Sequence, residues 1–113
     1  MLHEMNLHDD PFVFIKMGYK DIEMRLNDEK RKKIKVGDII EFTNKDTLEK
    51  LQVRVIGLHV FKNFEELYSK IDKQKLGYFP DEVADPSDMN MYYSSENIEK
   101  YGVLGIEIEL KGE

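Results

Sequence analysis

The 113-residue chain contains no cysteine. That excludes disulfides, a thiolate nucleophile and any cysteine-based metal site, and it makes a cytoplasmic location the expectation. No apolar run approaches the roughly 20 residues needed to cross a bilayer, so no membrane partner is expected. The opening stretch, MLHEMNLHDD, lacks both the basic start and the apolar centre of a secretion signal. There is no internal repeat, no low-complexity tract and no Pro-, Gly- or Ser-rich linker. One domain over residues 1–113 follows, long enough to bury a core without staples, and a monomer is expected. Glycine-rich phosphate loops are missing too, so nucleotide cradles of the Gly-x-x-x-x-Gly-Lys and Gly-x-Gly-x-x-Gly types are not expected. His3, His8 and His59 have no ligand spacing. Neither a metal nor a cofactor is expected.

Charge, by contrast, is plentiful. Charged residues make up 35% of the chain, hydrophobic residues 41%, and the net charge is −6. Such a surface is repelled on average by nucleic-acid backbones and anionic membranes. One strip opposes the trend: Lys30-Arg31-Lys32-Lys33-Ile34-Lys35 holds five positive charges. It can dock phosphates, but its plainer reading is a solvated loop. No specificity for DNA is expected.

Hydropathy and turn signals set out the elements. Asp10-Pro11 reads as a helix start with Asp10 at the cap, Phe12 and Ile15 as its apolar side, and Gly18 as its left-handed stop. Ile22, Met24 and Leu26 then alternate with Asp21, Glu23 and Arg25, the signature of a half-buried strand. Val36-Gly37-Asp38 turns into a strand over 39–43, and Asn44 to Thr47 form a polar hairpin-like connection. The strand from about Leu51 to Phe61 is apolar on both faces, as befits a central strand with something packed on each side. Asn63 and Glu66 resemble a capping box before the stripe Phe64, Leu67, Tyr68 and Ile71. Asp72 to Ala84 reads as loop. Asp85-Pro86 starts a third helix, Ser94 or Ser95 a fourth that ends at Gly102, and residues 104–110 form a last strand exposed on one side. The order is α-β-β-β-α-α-α-β, an α+β fold with a mixed or antiparallel sheet or small barrel, since crossover helices between strands are scarce.

Two clusters stand out as candidate sites. Tyr78, Phe79, Tyr92 and Tyr93 can offer stacking faces to bases, and neighbouring tyrosines on a helix cannot both point inward. The stretch GYKDIEMR carries Lys20, Asp21, Glu23 and Arg25. It reads either as an amphipathic strand with a solvated charged face or as the lining of a site. Lys20 is the misfit. By alternation it shares the face of Ile22 and Met24, which puts it at the mouth of the sheet or in a partly desolvated place.

The same stretch resembles the Gly-x-Lys-x-x-Glu-x-Arg signature of ASCH domains, members of the PUA-like superfamily. The helix ahead of it, Val36-Gly37-Asp38-Ile39-Ile40-Glu41-Phe42 after it, and the closing run from Tyr101 to Ile108 fit the same family, so the resemblance spans nearly the whole chain. It implies a PUA-like small mixed β-barrel of five to six strands, flanked by short helices, with a cleft lined by Lys20, Glu23 and Arg25. It also implies binding of short single-stranded RNA or a modified nucleoside, with Tyr92 or Tyr93 stacking on a base. One branch of small ASCH proteins hydrolyses N(4)-acetylcytidine with a Lys, a Thr and a later Glu. Lys20 matches that Lys, but Glu23 stands where the Thr would be, and Glu82, Asp85 and Asp88 are the stand-ins for the later Glu. A binding module is thus the first expectation. The alternative is an amidohydrolase for an acylated nucleoside, with Lys20 and Glu23 as its catalytic pair.

Overall fold

The structure, a computed structural model, describes residues 1–111. Its five strands are β1 (Leu2–Leu7), β2 (Ile22–Leu26), β3 (Ile39–Asn44), β4 (Lys50–Phe61) and β5 (Val103–Leu110). Three helices accompany them: α1 (Asp9–Lys16), α2 (Phe64–Lys70) and α3 (Ser95–Tyr101). Short 3₁₀ turns cover Arg31–Lys33 and Pro86–Met91. The strands form one curled sheet in the order β1-β3-β4-β5-β2, a half-barrel flanked by the short helices. The sheet is mixed, because β1 runs parallel to β3 while the other pairs are antiparallel. Among the described residues no helix is long and apolar enough to cross a membrane.

Three expectations about the type or start of an element need correction. The N-terminal segment is a strand, β1, where no element was expected; only Met5 and Leu7 are buried in it, and His3, Glu4 and Asn6 are weak strand formers. Tertiary partners hold it instead. Asp38 accepts from the His3 ring at 2.8 Å, from the Lys35 N–H at 3.0 Å and from the N-terminal amine at 3.3 Å, which keeps its carboxyl at about 2. α1 begins two residues earlier than read, with His8 rather than Asp10 at the cap; Pro11 still falls in the first turn, where helical N–H groups have no partner to lose. The segment read as a third helix is the 3₁₀ turn Pro86–Met91, capped by Asp85, whose side chain accepts from the Ser87 N–H.

Elsewhere the capping signals perform as read. Asn63 accepts from the Glu66 N–H to start α2, Ser94 accepts from the Asn97 N–H to start α3, and Gly18 ends the α1 segment at φ 82°.

β4 is central in the sheet, yet it is not covered on both sides. A register shift between Val55 and Gly57 breaks the alternation, Val53 and Val55 are fully buried, and Ile56 and Val60 stay at the surface. β5 corrects in the other direction. Leu104, Ile106 and Ile108 point into the barrel, but Gly105 on the opposite face is buried as well. A Cβ there would meet Ile22 at 3.4 Å, Ile71 at 3.5 Å and Leu67 at 3.6 Å. Two cores result. One fills the half-barrel under α1 and centres on Phe12, Ile40, Phe42 and Ile106; the other packs α2 over β2 and the start of β5, through Phe64, Leu67, Met24 and Val103. β2 lies between covering elements on both faces, and that is what buries its charges.

Candidate functional site

The sheet leaves β1 and β2 as its two edges, and the seam between them is where GYKDIEMR lies. Asp21 is exposed, whereas Glu23 is 5% and Lys20 9% exposed. The solvated-face reading of this strand therefore fails, because the face that should meet water is roofed by the 76–93 segment. Lys20 escapes the alternation argument for a different reason. It precedes β2, with its N–H bonded to the Phe14 carbonyl, and the next two N–H groups bond to the Lys75 carbonyl. The chain turns there, so the ammonium reaches Glu23 rather than the core.

The three charged side chains form one chain of contacts. Lys20 Nζ lies 3.5 Å from Glu23 Oε1 and donates to the Leu76 carbonyl at 3.3 Å. Arg25 Nε donates to Glu23 Oε2 at 2.8 Å. Arg25 Nη2 donates to the Asn6 carbonyl at 2.9 Å, so one guanidinium ties the β2 edge to the β1 edge across the open seam. Burial pushes the Glu23 carboxyl up, but Arg25 and Lys20 beside it outweigh that and hold it below the usual carboxylate range. Gly77, at φ 102°, lies over the Lys20 stem; a Cβ there would sit 3.4 Å from Lys20 Cδ.

Above the triad opens a cleft of about 560 Å³, within the size range of ordinary ligand sites. Asn6, His8 and Phe14 line it from β1 and α1, and Tyr68 from α2. Tyr78, Glu82, Asp88, Met89, Tyr92 and Tyr93 close it from the segment after α2. Tyr93 stacks on Phe64, with centroids 5.9 Å apart and rings at 17°, while the Tyr92 ring is 57% exposed at the rim. One tyrosine is thus held and the other free, although both lie past the end of the 3₁₀ turn rather than on a helix. Of the stand-in carboxylates, Glu82 and Asp88 line the cleft; Asp85 does not, being occupied with the cap of its 3₁₀ turn.

The sequence reading missed Tyr68 and the role of Tyr78. Tyr68 OH and Tyr78 OH lie 2.9 Å apart, and Tyr78 OH donates to Asp88 Oδ2 at 2.8 Å. The residues are ten apart in each case, on elements whose meeting no local pattern reveals. The basic strip stays outside the cleft. Lys30, Lys32, Lys33 and Lys35 are exposed, and Arg31 and Lys32 pair locally with Asp28 and Glu29. His59 is a rim residue hydrogen-bonded to Glu107 at 3.0 Å. Among the described residues no group of three or more His, Asp or Glu is arranged to hold a metal ion.

A curled five-stranded half-barrel flanked by short helices is the fold of a PUA-like domain. The ASCH domain model matches residues 5–112, and the chain belongs to the ASCH domain family. It is similar to the crystal structure of hypothetical protein PH0355, at 37% identity and TM-score 0.83, over 98% of this chain and 100% of that one. It is similar also to the solution structure of protein PF0455 from Pyrococcus furiosus, at 35% identity and TM-score 0.75, over the full length of both. An ASCH domain from Lactobacillus crispatus shares the fold alone, at 12% identity and TM-score 0.62, over 96% of this chain and 79% of that one. No curated protein matches the chain.

Proposed function

We propose that the cleft binds a nucleoside, free or as part of a short single-stranded RNA, and that the protein is a binding module. The observation that carries this reading is the Glu23 carboxylate, buried and clamped between Lys20 and Arg25 on the cleft floor. Lys20 has one N–H left for a base carbonyl, and Glu23 keeps lone pairs for an exocyclic amine. Tyr92 supplies the free stacking face, backed by Tyr93 against Phe64. Arg25 positions Glu23 and the seam.

The same clamp argues against hydrolysis through Glu23. A general base works best with a proton affinity near the operating pH, and two adjacent cations push Glu23 the other way. A hydrolytic cycle on Lys20 would have to take its base from Glu82 or Asp88. The ligand is short. The charged residues lining the cleft are Asp10, Glu23, Glu82 and Asp88 against Lys20, Arg25 and Lys45, a balance that does not attract a polyanion.

Calorimetric titration with the four ribonucleosides, N(4)-acetylcytidine and short RNAs tests the reading, with product analysis of the same mixtures. Binding by at least one nucleoside or RNA, abolished by Lys20→Met and without turnover, is the expected result. Silence across the panel at low salt would sink the reading, and release of acetate would replace it with the amidohydrolase.

A further inference from the structure

The triad accounts for the floor of the cleft but leaves one wall unexplained. Tyr68, Tyr78 and Asp88 line that wall and are linked in series, at 2.9 Å and 2.8 Å. The direction of the series follows from proton counting. A phenol has a single proton, and Tyr78 gives its own to Asp88, so Tyr68 must donate to Tyr78. Burial, with these two hydrogen bonds, pushes the Tyr78 hydroxyl far above the usual tyrosine range, so it remains a donor at any working pH. Every proton on the wall is then spent. What it still offers is acceptors only: the Tyr68 oxygen, and Asp88, whose Oδ1 has no hydrogen-bond partner among the described residues. Tyr78 meanwhile fixes the rotamer of that carboxylate.

An acceptor-only wall that carries a negative charge selects its ligand chemically. It rejects phosphate, which brings acceptors and like charge, and it takes a group with adjacent donors. The floor, with Lys20 donating and Glu23 accepting, suits the edge of a base. On these grounds we propose that Asp88, oriented by Tyr78 and Tyr68, is a subsite for the 2′,3′-diol of a ribose. A single carboxylate accepting from ribose hydroxyls is a recurrent solution to this recognition problem, and the 2′-hydroxyl is what separates RNA from DNA at a site. The proposal rests on the nucleoside reading above and adds two demands: the sugar is ribose, and its 3′-oxygen carries no phosphate. Two sources satisfy both, a free ribonucleoside and the 3′-terminal residue of an RNA.

The test takes whichever ribonucleoside of the panel binds most tightly and compares it with its 2′-deoxy and 3′-phosphate forms. A trinucleotide RNA ending in that residue, with a 3′-hydroxyl or a 3′-phosphate, separates the two sources. Loss of a hydroxyl bonded to a carboxylate is expected to weaken binding about 10- to 100-fold. In Asp88→Asn and in Tyr78→Phe the preference for ribose over deoxyribose is expected to fall to about 3-fold or less, with thermal melts confirming that each variant folds. The Tyr78→Phe variant keeps the carboxylate and removes only what orients it, so it separates recognition from a mere loss of charge. Equal affinity of ribo and deoxy forms in the wild type overturns the diol subsite and leaves the nucleoside reading intact. Preference for the 3′-phosphate overturns it as well. If no nucleoside or RNA binds at all, both readings fall together.

Discussion

Replacing Glu23 by Gln removes one negative charge from between two cations that are themselves largely withdrawn from water. The side chains of Lys20 and Arg25 are 9% and 14% exposed, and Glu23 is the carboxylate that meets both. Breaking a buried pair by deleting one partner costs about 3–5 kcal/mol, because the remaining charge is left uncompensated. Gln retains an oxygen for Arg25 Nε, and Lys20 keeps its bond to the Leu76 carbonyl, so the lower end, about 3 kcal/mol, is expected. For a domain of this size that corresponds to roughly 10–15 °C in melting temperature. The loss must also depend on pH, in a direction set by the lowered Glu23 proton affinity. Below its ordinary value of 4.5 the unfolded chain takes up the proton before the folded one does. Glu23 thus stabilises the fold fully above about pH 5, and its contribution fades as pH falls through the folded-state value. Thermal and urea melts of wild type and Glu23→Gln between pH 3 and 7 measure this directly. The gap between them should be constant from pH 7 to about 5 and narrow towards pH 3. A gap under 1 kcal/mol, or one that widens in acid, would refute the clamped-carboxylate argument.

Other perturbations follow from single contacts. Gly77→Ala forces a Cβ onto a backbone at φ 102° and against the Lys20 stem; it should cost about 1–2 kcal/mol in chemical denaturation and weaken any Lys20-dependent binding. Leu48 is 73% exposed at φ 65°, a conformation asparagine tolerates far better, so Leu48→Asn should raise stability by about 0.5–1 kcal/mol in the same assay. Asn44 is buried; it accepts from the Asp46 and Thr47 N–H groups and donates to Asp9. Asn44→Ala should cost about 2–3 kcal/mol in urea melts, and hydrogen exchange should show the β3–β4 turn and the start of α1 loosening together.

The elements that local pattern revealed are those whose signals are local. Asn63 and Ser94 announce their helices because the cap bond spans three residues, and Ile40 and Phe42 announce β3 because one face of that strand is buried. β1 could not be read this way, since its stability comes from Asp38 and from pairing with β3 more than 30 positions on. For the site, GYKDIEMR was legible as an anomaly, with Lys20 out of step and three charges close by. What made it a buried clamp was invisible. Periodicity cannot tell a solvated charged face from one roofed by a distant segment, and the roof here, from Leu76 to Tyr93, holds no helix or strand beyond the 3₁₀ turn Pro86–Met91 to betray it. The Tyr68–Tyr78–Asp88 series lay hidden for the same reason.

Backbone and side-chain NMR of labelled protein titrated with the nucleoside and short-RNA panel examines the central claim most directly. The cleft reading predicts concerted, saturable shifts at Lys20, Glu23, Arg25, Tyr92 and Tyr93, with Lys30 to Lys35 nearly unmoved. Shifts confined to that exposed basic strip, with the triad silent, would contradict it.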